Sequence, residues 1–164
     1  MRKTALLILG LAICVPGFSK HKKSKKKKQL AANEIQSVTI HRTTCFGRCP
    51  DYFIELKRDG TVTYTGIRFT EDTGIFQKNI GNAAAMVLND LASYKPDTCQ
   101  DQYVNRIPDL PGLIYIIKYG NKTKTIHTAQ FGPVFLQRMA EKIDEAGKKT
   151  DNTWKKVGMP DVKY

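Results

Sequence analysis

The chain of 164 residues has no apolar run long enough to be a comfortable membrane span. Its longest, Ala5 to Phe18, is 14 residues and is broken by Pro16 and Gly17. As a helix such a run reaches about 21 Å, against a hydrocarbon core of roughly 30 Å. The chain also lacks the Gly-x-Ser-x-Gly, His-Glu-x-x-His, Walker and dinucleotide-loop signatures, which weakens the case for the enzyme classes built on them without excluding catalysis. No aromatic residue interleaves the lysines near the N-terminus, so nothing there would stack nucleic-acid bases. Residues 33 to 147 show no repeat and no low-complexity interruption, and this stretch is material for one domain of ordinary size.

What is present begins with Arg2 and Lys3 ahead of that apolar run, which closes on Gly17-Phe18-Ser19 with small residues placed for signal peptidase. Residues 1–19 are therefore expected to be a cleaved signal peptide and the protein to be exported to the periplasm or cell envelope. The lysines that follow outnumber Arg2 and Lys3, and positive charge tends to stay cytoplasmic, so an uncleaved anchor is the second reading. A lipoprotein through Cys14 is a weaker third, because Ile13 is bulky where that site prefers a small residue.

The net charge of +12 is concentrated in one segment. Nine of the 27 Lys+Arg lie before residue 29, which leaves 18 against the 15 Asp+Glu in the body. The run Lys20, Lys22, Lys23, Lys25, Lys26, Lys27 and Lys28 repels itself, and residues 20–32 are expected to be a disordered arm. Its functional reading is electrostatic binding to an anionic membrane or envelope polymer, and its bland one is a solvated spacer. Nucleic acid is not expected as a partner.

Periodicity predicts an α+β domain. Glu34 to Arg42 alternates with Val38 and Ile40 on one side, and Tyr52, Ile54 and Leu56 alternate against Glu55 and Lys57. Asp59-Gly60 predicts a type I′ hairpin between Tyr52–Arg58 and Thr61–Arg68, Gly66 a bulge, and Ile75 to Ile80 a further short strand. Asn82 is expected to cap a helix carrying Ala84, Val87, Leu88 and Leu91 on one face and ending near Tyr94, before Pro96. Leu113 to Tyr119 reads as a central strand that turns at Gly120-Asn121 into Thr123 to Thr128. The last helix is expected to open at Pro133, bury Leu136, Met139, Ala140 and Ile143, and stop at Gly147. The predicted order is β-β-β-(β)-α-β-β-α, a mostly antiparallel sheet with two helices on one face. Residues 148–164 read as a loose tail, with Trp154 or Val157 available to dock.

The motif Cys45-Phe46-Gly47-Arg48-Cys49-Pro50-Asp51-Tyr52 sits between the first two strands. Together with Arg42 to Thr44, Asp59-Gly60-Thr61-Val62, Tyr64-Thr65-Gly66, Tyr103 and Asp109-Leu110-Pro111, it resembles a bacterial family of uncharacterised exported domains marked by Cys-Phe-Gly-x-Cys-Pro-x-Tyr. The resemblance covers roughly residues 34 to 146. It implies the compartment and the fold and brings no activity.

Chemically, Cys45 and Cys49 admit three readings. In an oxidising envelope the favoured one is a disulfide that staples the turn. The second is a copper or zinc site of His41, Cys45 and Cys49, completed by Cys99 or His127. The third is thiol redox chemistry, since Cys-x-x-x-Cys-Pro is similar to the motif of copper-delivery proteins with a thioredoxin fold. There the second Cys leads into a helix, whereas here Tyr52 begins a strand pattern, so a source of thiolate stabilisation is missing.

Asp97, Asp101 and Asp109 surround Cys99 without the ligand alternation of a calcium loop, and read as solvated carboxylates. His127 as a base for Cys99 is outweighed by its reading as a structurally satisfied strand residue. Asn121-Lys122-Thr123 fits a glycosylation sequon and is better explained by turn chemistry. No catalytic residue and no cofactor are implied. The expected function is a noncatalytic binding or structural domain of the cell envelope, with thiol-redox or copper/zinc handling by Cys45 and Cys49 as the alternative.

Overall fold

A computed structural model describes residues 34–103, 110–129, 131–149 and 151–161. The signal-peptide reading of residues 1–19, Cys14, the lysine arm and Asp109 fall outside the described residues. The elements are β1 (Ser37–Arg42), β2 (Asp51–Lys57), β3 (Thr61–Arg68), β4 (Gly74–Asn79), α1 (Asn82–Ser93), a short 3-10 turn (Pro96–Thr98), β5 (Leu113–Lys118), β6 (Thr123–Thr128), α2 (Val134–Gly147) and β7 (Lys155–Gly158). The strands form one 7-stranded sheet in the order β6-β5-β1-β2-β3-β4-β7, and every pairing is antiparallel. The α+β fold expected from the sequence is the fold of the protein.

Alternation decides which face is buried. Val38, Leu56 and Ile117 stand in one row across β1, β2 and β5, and Ile40, Ile54 and Tyr115 in the next, all fully or nearly fully buried. Both helices pack on that face: α1 contributes Ala84, Leu88 and Leu91, and α2 contributes Leu136, Met139, Ala140 and Ile143. A leucine such as Leu88, sealed completely, contributes about 1.5–3 kcal/mol over an exposed one. α2 crosses the strands, since its first turn takes the Tyr115 hydroxyl on the Leu136 carbonyl and its last residue, Gly147, lies on Ile54. The C-terminal end of α2 is thereby delivered to the end of the sheet where the β1–β2 loop emerges.

Three local expectations are corrected. The β2–β3 turn is not type I′: positive φ occurs at Gly60 (96°) and not at Asp59. The Gly60 N–H donates to the Lys57 carbonyl at 3.0 Å, giving a three-residue loop, and the Asp59 carboxylate accepts the Thr61 N–H at 2.9 Å, a bond that a mirror-image turn would not favour. Asn82 does not cap α1; Gly81, at φ 59°, occupies that position and Asn79 accepts its N–H at 2.8 Å. The tail is not loose: Lys155–Gly158 pairs with β4 and lengthens the sheet, while Trp154 packs against the core and donates from Nε1 to the Lys148 carbonyl at 3.1 Å.

The predicted bulge lies where expected. Asp51 pairs with Arg68 and Tyr52 with Gly66, so β3 carries one unmatched residue between them. Gly66 has no room for a side chain, because a Cβ there would sit 2.0 Å from the Asp72 carbonyl oxygen. That close approach folds the β3–β4 loop back over β3.

A candidate binding cleft beside the cysteine loop

At this end of the sheet a cleft of about 430 Å³ opens between β2, β3, the β3–β4 loop and the C-terminal end of α2. Tyr52, Ile54, Tyr64 and Phe69 form its apolar wall, Pro50 its edge, and Asp144, Asp72 and Lys149 its polar side. Each position follows from local structure. Pro50 ends the cysteine loop with no N–H to offer the ladder, Tyr52 and Ile54 project from alternate positions of β2, and Tyr64 faces Ile54 across the β2–β3 ladder. The rings of Tyr52 and Tyr64 have centroids 5.7 Å apart.

Asp144 organises the floor. Its Oδ1 accepts the Tyr52 hydroxyl at 2.9 Å, and its Oδ2 takes the Arg42 guanidinium at 2.6 Å. Arg42 reaches it from the last position of β1, directly beside Tyr52 in the ladder. Burial pulls the Arg42 pKa down, but its hydrogen bond and attraction to Asp144 outweigh this and hold it above the ordinary value. Burial, followed by the charge of Asp144, pushes the Tyr52 phenol well above its ordinary range. Tyr64 is raised as well, chiefly by burial. Both phenols keep their protons at physiological pH and serve as hydrogen-bonding, apolar walls; neither is poised as a base. Lys149 closes the far side, bonded to Asp72 at 2.7 Å with its ammonium 3.5 Å from the centroid of the Phe76 ring.

The cysteine loop forms the rim. Cys45 and Cys49 lie at disulfide distance, their Cα atoms 5.5 Å apart, and Cys49 leads through Pro50 into a strand. His41 is turned away from them: its Nε2 bonds Asp51 at 2.9 Å and its ring stacks on Phe53 with centroids 3.8 Å apart. Cys99 is a free thiol on a different segment, where its carbonyl accepts from Lys124 at 2.6 Å. Sulfurs joined to each other cannot ligate, and among the described residues no three His, Cys, Asp or Glu side chains gather as a metal site. The set His41, Cys45, Cys49 and Cys99 is thus not brought together.

Asp101 is paired with Lys124 at 2.5 Å, and Asp97 lies near Tyr119. His127 lines a second hollow with Tyr103 and Thr128, and its backbone bridges to Asp101 and Tyr103. Among the described residues no hydrogen bond joins it to Cys99.

The sequence marks Tyr52, Tyr64 and the cysteines through the motif residues, but not Asp144, Asp72 or Lys149. Asp144 sits at the edge of the buried stripe of α2, one turn after Ala140 and one before Gly147, where a carboxylate carries no signal until the helix is docked. The one cue was the pattern Arg42…Tyr52, which places two long polar side chains on the otherwise apolar face of adjacent strands.

Residues 36–147 match the model of a family described as Domain of unknown function (DUF6438), and the chain belongs to that family. No curated protein and no solved structure matches it.

Proposed function

From membership of a family whose description assigns no role, we propose that this protein is an exported bacterial domain of the cell envelope that binds rather than catalyses. The observation that carries this reading is the cleft. Its phenols retain their protons, its carboxylate Asp144 is engaged by Arg42 and Tyr52, and its rim is a cysteine loop of the kind an oxidising compartment keeps closed. A volume of about 430 Å³ is that of a small-ligand site, with apolar walls for affinity and a few fixed polar groups for orientation.

In this reading residues 1–19 are a leader removed on export, and the motif Cys45 to Tyr52 is the family mark. Residues 20–32 are an arm whose lysines hold the protein to an anionic surface, each adding about 1 kcal/mol close to it. Residues 33–147 are the binding domain, to which the tail adds a strand.

The test is the state of the protein recovered from its own compartment. Osmotic-shock release, an intact mass that begins near Lys20, Cys45 and Cys49 joined, and no stoichiometric copper or zinc are the expected results. Retention of Met1 with a cytoplasmic fraction would overturn export. Reversible dithiol exchange or bound metal would replace the binding reading with thiol or metal handling.

A further inference from the structure

Three loops leave the same end of the sheet, and each carries an exposed phenylalanine. Phe46 is in the β1–β2 loop, Phe69 begins the β3–β4 loop, and Phe131 is in the β6–α2 loop. Their common end follows from register: Arg42 pairs with Tyr52 on one side and Leu113 on the other, Leu113 pairs with Thr128, and Asp51 pairs with Arg68. Phe46 is 87% exposed, Phe131 48% and Phe69 45%.

These rings are held where they are. The Cys45–Cys49 bond closes the loop that displays Phe46, so the ring is presented without the ordering cost of an open loop. Phe69 has φ 55°, a left-handed conformation that bulky residues rarely adopt and that a glycine would adopt freely. The Thr128 hydroxyl ties the Phe131 carbonyl back to the end of β6. Cations accompany them: the Arg68 and Arg48 guanidinium carbons lie 5.3 and 5.9 Å from the Phe69 ring centroid. Among the described residues neither arginine has a carboxylate partner, whereas the carboxylates at this end are mostly engaged, Asp144 by Arg42, Asp72 by Lys149 and Asp51 by His41. Glu71 is the exception.

We propose that this end of the sheet docks on an anionic lipid surface, with Phe46, Phe69 and Phe131 entering the interfacial zone and Arg48 and Arg68 meeting phosphate headgroups. Separate rings on three loop tips share no groove, so a protein partner would need a matched pocket for each. A bilayer interface accepts rings at any lateral spacing provided they reach a common depth, and it rewards cations beside them. This docking shares Phe69 with the wall of the cleft and does not rest on the proposed compartment.

The experiment is co-sedimentation of the full chain with phosphatidylcholine vesicles containing or lacking phosphatidylglycerol. A background in which the arm lysines are changed to glutamine removes any binding through the arm. In that background binding is expected with phosphatidylglycerol and to fall with added salt. Phe46→Ser should lower it roughly tenfold. Arg48→Gln and Arg68→Gln should each lower it about fivefold. Phe69→Gly keeps the backbone conformation while removing the ring, and should weaken binding without lowering the melting temperature. Absence of binding in this background, or binding unchanged in variants whose melting temperature is intact, would overturn the proposal. Loss of retention on one specific envelope protein, with vesicle binding unaffected, would overturn it in favour of a protein contact.

Discussion

Arg42 and Asp144, 102 residues apart in sequence, meet at 2.6 Å and join the end of β1 to the last turn of α2. The same carboxylate holds the Tyr52 hydroxyl, so one side chain fixes a helix, two strands and a wall of the cleft. Asp144→Ala should cost about 2 kcal/mol, because it strands a half-buried guanidinium and a phenol together. Tyr52→Phe should cost about 1 kcal/mol, and a double-mutant cycle between the two positions should show non-additive losses. Additive losses in urea unfolding would mean that the bond contributes nothing to the fold.

The cysteine loop predicts a chemical asymmetry. Alkylation of the mature protein without reduction should label Cys99 and leave Cys45 and Cys49 unlabelled, read by peptide mass mapping. Replacing Cys45 and Cys49 together by serine should cost on the order of 2 kcal/mol, the loop-entropy value for so short a closure. A Cys49–Cys99 linkage or three labelled thiols would contradict the geometry.

Buried tyrosines predict alkaline sensitivity. Tyr52, Tyr64, Tyr115 and Tyr119 are all raised above the ordinary phenol value of 10.0, chiefly by burial, and Tyr119 is pushed up to about 12. The folded chain therefore holds these protons more tightly than the unfolded chain. Their contribution to stability is full below pH 10 and is lost as pH rises through the raised values. The urea midpoint should fall across that range, and Tyr52→Phe should make the fall shallower. A flat profile with all tyrosines titrating normally by ultraviolet absorbance would show that these rings are not buried.

Gly66→Ala tests the fold-back of the β3–β4 loop. A Cβ placed 2.0 Å from the Asp72 carbonyl meets backbone rather than a movable side chain, so relief requires the loop to shift. A loss of about 1–3 kcal/mol in urea unfolding is expected, as for overpacking elsewhere. Tyr64 and Phe69, which line the cleft on that side, should show displaced ring resonances.

Much of the sheet was legible in the sequence because β2, β3 and β5 alternate or run apolar over six to eight residues, and β6 was bounded correctly at Thr123 and Thr128. What failed was decided by partners. Gly81 displaced Asn82 as the cap because Asn79, on the preceding strand, supplies the acceptor. Lys155 to Gly158 carries no alternation of its own and becomes a strand only because β4 presents an unpaired edge. The cleft was half legible: Tyr52 and Tyr64 are among the motif residues, while Asp144 and Lys149 acquire meaning only once α2 crosses the strands.

The family match ends at residue 147, and the seventh strand begins at Lys155. The unit recognised by sequence is therefore one strand smaller than the unit that folds. A chain ended at Gly147 would leave the backbone donors and acceptors of Ile75, Phe76 and Gln77 facing water, in a strand whose partner has been cut away. An edge exposed in this way is a template for pairing with another chain, and β7 covers it here.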